Sequence, residues 1–65
     1  MNIPELLQQY EKEMPAVTHD FHQLKKLYSY NPASDLIKEA LGIAQAAYYT
    51  TKCRIAFLKF KMAHA

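Results

Sequence analysis

The sequence predicts an all-α fold: an antiparallel hairpin of two long helices that pairs with a second copy into a four-helix bundle. Three observations carry this. Apolar residues recur at coiled-coil spacing in both halves of the chain, a single proline-led break separates the halves, and the chain is too short to complete a core alone.

Chain length sets the outer bound. A chain of 65 residues is one domain at most, taken here as residues 1–65. A domain this small buries only about 60% of the surface its unfolded chain exposes, so it is stable only narrowly. Disulfides, a metal or another chain usually supply the missing stability. Cys53 is the only cysteine, which rules out an internal disulfide and suits a reducing compartment. Apolar residues make up 51% of the chain, too many for intrinsic disorder. Gly42 is the only glycine, and Pro4, Pro15 and Pro32 are the only prolines, so few breakers interrupt helices.

The first arm, about residues 3–30, carries Ile3, Leu7, Tyr10, Met14, Val17, Phe21, Leu24 and Tyr28 at alternating steps of four and three. Asn2 marks its start, and Pro4 falls in the first turn, where its missing N–H costs nothing. Pro15 either kinks this arm or splits it, with a second helix starting near Thr18. The heptad phase runs unbroken through Pro15, which favours the kink.

The turn occupies residues 31–33. Pro32 pushes Asn31 out of the helical region, and Ser34 can cap the second helix, with Asp35 in the first turn. The second arm, about residues 34–63, repeats the heptad with Ile37, Leu41, Ala44, Tyr48, Thr51, Ile55, Leu58 and Met62. Arms of this length span roughly 40–45 Å at about 1.5 Å per residue. Folding about Pro32 sets Lys52, Arg54, Lys59 and Lys61 alongside Glu5, Glu11 and Glu13, and Lys25 and Lys26 near Asp35 and Glu39. That complementarity selects the antiparallel pairing.

The second arm has more apolar surface than one partner helix covers. Leu36, Ala40, Ile43 and Ala47 form a stripe beside the seam, and Ile55, Phe57 and Phe60 could extend it. A helix apolar around more than half its circumference wants neighbours on two sides. Ala40, Gly42, Ala44, Ala46 and Ala47 would allow close helix approach, which could offset the cost of Gly42. The plainer reading is that they are good helix formers in the hairpin core. Tyr28 and Tyr48 fall on the seams, whereas Tyr30 and Tyr49 fall off them and could serve an interface.

Reactive groups are sparse. His19, Asp20 and His22 have ligand-like spacing, but zinc needs three or four ligands, and solvated histidines explain them better. Cys53 lies between Lys52 and Arg54, yet no base is placed to make it a nucleophile. One glycine cannot build a phosphate loop. The sequence therefore predicts no enzyme, no cofactor and no metal. Lys52, Arg54, Lys59 and Lys61, interleaved with Phe57 and Phe60, could form a nucleic-acid-binding face. Pairing with the first-arm glutamates, plus favourable charge at the helix C-terminus, accounts for them as well.

The stretch Asn31-Pro32-Ala33-Ser34-Asp35-Leu36-Ile37-Lys38-Glu39, followed by Ala44-Gln45-Ala46-Ala47-Tyr48, resembles the YaaL-type family of small uncharacterised proteins from Gram-positive bacteria. The shared pattern is a proline-led turn, an acidic residue and an alanine–alanine–tyrosine helix. It lies in the second half of the chain and needs a one-residue shift between Glu39 and Ala44. The resemblance implies a cytosolic helical protein and carries over no catalytic residue.

The N-terminal region carries Glu5, Glu11 and Glu13 where a secretory signal would carry lysines. The charge-free stretch from Ala40 to Thr51 is shorter than the roughly 20 residues of a membrane span. The expectation is a cytoplasmic coiled-coil module that binds a protein partner or a copy of itself, with no membrane contact. The alternative is a nucleic-acid-binding helical dimer.

Overall fold

The structure is a computed structural model that describes residues 2–64. It contains two helices, α1 (Ile3–Tyr30) and α2 (Asp35–Ala63), packed against each other as an elongated body of 48 × 16 × 16 Å. No strand occurs among the described residues. The two end residues of the expected domain lie outside the described span.

Each helix starts where a side chain can satisfy its first free N–H groups. Asn2 accepts a hydrogen bond from the Glu5 N–H at 2.9 Å, with Pro4 in the first turn of α1. Ser34 accepts one from the Ile37 N–H at 3.3 Å, and Asp35 comes next in the chain. Between the helices, Asn31 leaves the helical region at φ −134°, ψ 62°, as the proline after it requires. Its backbone N–H donates to the Leu27 carbonyl at 3.0 Å, and its side-chain amide donates to the same oxygen at 3.2 Å. The Ser34 N–H then closes the turn on the Asn31 carbonyl at 3.1 Å.

The helix α1 runs continuously through Pro15. No second helix begins at Thr18, so the split arm is excluded. Pro15 has no N–H to give the Glu11 carbonyl. Both residues are solvent-exposed, so water can reach that oxygen.

Burial tracks the two heptads. Leu7, Phe21, Thr51 and Leu58 are buried. Tyr10, Met14, Val17, Leu24 and Tyr28 are half-buried, as are Ile37, Leu41, Ala44, Tyr48 and Ile55. Only the outermost seam residues, Ile3 and Met62, lie exposed. The seams therefore face each other along most of their length. Two helices still shield a seam on one side only, and no described side chain is fully buried.

Close helix packing at Gly42 does not occur within the hairpin: a Cβ added there would meet nothing within 4 Å. The residue faces open space, away from α1, so the hairpin does not offset its helix cost. Gly42→Ala is expected to stabilise the hairpin by about 0.4–1 kcal/mol. Chemical denaturation would read this as a higher midpoint at unchanged slope. A lower midpoint would mean another chain packs against that glycine.

Candidate protein-interaction surface

Two grooves flank the helix seam. The first is lined by Glu11, Met14, Pro15, Thr18 and His19 of α1 and by Lys52, Ile55 and Lys59 of α2. The second, about 430 Å³ in volume, is lined by Val17, Asp20, Gln23, Leu24 and Leu27 of α1 and by Ala40, Ile43, Ala44 and Ala47 of α2. The first is thus edged with charge, while the second is largely apolar.

The stripe beside the seam opens onto the second groove. Ala40, Ile43 and Ala47 line it directly. Leu36 precedes Ile43 by one heptad, and Phe57 comes two heptads later, so all three share a helix face. Leu36 keeps 78% of its surface exposed, Ile43 68% and Phe57 57%. Packing of α1 on α2 thus leaves these three side chains largely uncovered.

One residue expected on this surface lies elsewhere. Ile55 is half-buried in the seam and borders the first groove. Ile55 does not extend the stripe, because apolar character alone does not say which side of a helix a residue faces. Phe60, three residues beyond Phe57 and equally exposed, adjoins that stripe at its C-terminal end, where its ring meets His64 at 4.3 Å.

The charged candidates divide as well. Lys52 and Lys59, one heptad apart, edge the first groove together with Glu11. Lys52 and Arg54 are about 200° apart around the helix. Arg54 instead lies over the Tyr10 ring at 5.4 Å, a cation–π contact across the arms. Lys61 lies over the Phe57 ring at 5.5 Å. The four cations therefore do not form one face. His19 borders the first groove and Asp20 the second, so the His19–Asp20–His22 cluster does not converge either. Among the described residues no group of three or more histidine, cysteine or acidic side chains could hold a metal. Cys53 is exposed and free.

An aromatic cluster at mid-length was not foreseen from the sequence. Phe21 packs on Tyr48 at 5.1 Å and on Tyr49 at 6.1 Å between ring centres, and Tyr48 meets Tyr49 edge-on at 5.1 Å. Lys25 caps the Phe21 ring at 5.2 Å, and Lys52 caps Tyr48 at 5.8 Å. Both lysines sit four residues after the ring they cover, a spacing that could have revealed them.

The second helix is apolar nearly all round. Of its heptad positions only the one held by Lys38, Gln45, Lys52 and Lys59 is polar throughout. A helix of that kind ordinarily has neighbours on several sides. No described helix is long and apolar enough to cross a membrane. No protein-family model, curated protein or solved structure matches the chain.

Proposed function

We propose that this chain is a non-enzymatic protein-interaction module, an adaptor, small chaperone or regulator, that binds a copy of itself or another helix through α2. The observation that carries the reading is the exposed stripe of Leu36, Ile43 and Phe57, continued into the second groove by Ala40 and Ala47. An amphipathic helix laid in that groove would bury anchors spaced one heptad apart. A kink at Pro15 belongs to the same reading, as a bend the ring imposes and the contact with α2 tolerates rather than requires. The YaaL-type likeness and a cytoplasmic location agree with such a role.

The competing reading, nucleic-acid binding by Lys52, Arg54, Lys59 and Lys61, is weakened by their division between two flanks. A phosphate backbone is held by cations that share one surface.

The test is sedimentation of the pure protein beside Ala40→Glu and Ala47→Glu. The wild type is expected to sediment above its 7.5 kDa chain mass, or with a bound helical partner, and each variant at chain mass. Buried unpaired carboxylates would break either complex. A well-folded wild-type monomer that retains no partner sinks the proposal.

A further inference from the structure

Taking α2 as the interaction surface, we infer that its occupant is a second copy of this chain, related by a two-fold axis parallel to the hairpin. The two turns then lie side by side, and α1 of each copy packs against α2 of the other. The inference rests on the interaction reading above and adds the partner and its orientation.

The surplus surface matches the area of one stable interface. A compact monomer of 7.5 kDa exposes about 4,250 Å². This hairpin exposes 4999 Å². The excess of about 750 Å² is close to the roughly 800 Å² per partner that a standard stable interface buries. One more hairpin on one flank would remove it.

The distribution of residues along that flank sets the orientation. Phe21 against Tyr48 and Arg54 against Tyr10 bracket the register of the arms, and the second groove sets Asp20 and Leu27 with Ala40 and Ala47 between those limits. Glu13 then lies level with Arg54, Asp20 with Ala47, and Leu27 with Ala40. Towards the turn the flank is apolar, with Leu27, Leu36 and Ile43 exposed. Towards the chain ends, α2 presents Arg54 and Lys61, and α1 presents Glu13.

If the copies overlapped fully but ran in opposite directions, Ile43 of one would face the Arg54 level of the other. Apolar and charged halves would be mismatched at both ends. With the copies parallel, apolar halves meet each other. Because a two-fold along the hairpin sets α1 opposite α2, Glu13 also meets Arg54 across the interface. Every neighbouring helix pair is then antiparallel, the arrangement common in four-helix bundles.

The experiment is a distance measurement between spin labels on the full chain carrying Cys53→Ser and Ala33→Cys, one label per turn. Cys53 and Ala33 are both exposed, so neither change disturbs the seam. The expected result is one short distance, under about 30 Å, set by interaxial spacings of about 8–10 Å plus the label arms. A distance near the 48 Å length of the body would overturn the orientation yet leave self-association standing. The absence of any dipolar coupling in a folded sample would overturn the second copy as occupant, leaving only binding of a foreign helix. Ile43→Arg in the same labelled chain should abolish the short distance, and its persistence would contradict the interface.

Discussion

Replacing Phe21 with alanine is expected to remove a large share of the protein's stability. Phe21 is buried at mid-length, where its ring meets Tyr48 and Tyr49 of α2 and lies beneath the Lys25 ammonium. Removing a buried phenylalanine costs about 3–5 kcal/mol, including the cavity left behind. At about 0.05–0.15 kcal/mol per residue, the whole stability of a chain this size is about 3–10 kcal/mol. The substitution therefore removes a large share of it. Far-UV circular dichroism should show major loss of helix, or a melting temperature lower by at least about 12 °C. Phe60→Ala serves as the control, because that ring is exposed outside the seam and should shift melting little. Equal effects of the two changes would contradict the placement of the seam.

The second large effect runs the other way. Pro15→Ala is expected to stabilise the protein by about 2 kcal/mol. A proline inside a helix costs about 3 kcal/mol through a missing hydrogen bond and a clash with the preceding turn. Alanine gives back part of that gain, because it leaves the unfolded chain freer by about 0.4–1 kcal/mol. Since α1 is already helical on both sides of Pro15, alanine supplies an N–H for the Glu11 carbonyl and removes the ring that crowds it. Thermal melting should rise by about 8–16 °C. A fall would mean that α1 must bend at Pro15 to stay in contact with α2.

Much of the fold was legible in the sequence because helix and seam leave periodic marks. Steps of four and three identified Leu7, Phe21 and Leu58 as core, and they even placed Thr51 there despite its hydroxyl. The caps at Asn2 and Ser34 were readable because their side chains act within three residues of themselves. What failed depended on direction around the helix. Ile55 and Gly42 were judged by residue type, and their positions around α2 put Ile55 in the seam and Gly42 away from α1. The basic residues looked like one cluster because they are close in sequence. Steps of two, five and nine separate Lys52 and Lys59 from Arg54 and Lys61 around α2. The rings of Phe21, Tyr48 and Tyr49 come together only once the register between the arms is known.

These two helices do not make a complete core by themselves, and on the proposed reading they need a further chain on the α2 flank. Thermal unfolding measured over a wide range of protein concentration tests this most directly, since association raises apparent stability by mass action. A melting temperature that climbs steadily as the protein is concentrated is the predicted result. A sharp transition at one temperature, unchanged between the most dilute and the most concentrated sample, would show that the lone hairpin suffices.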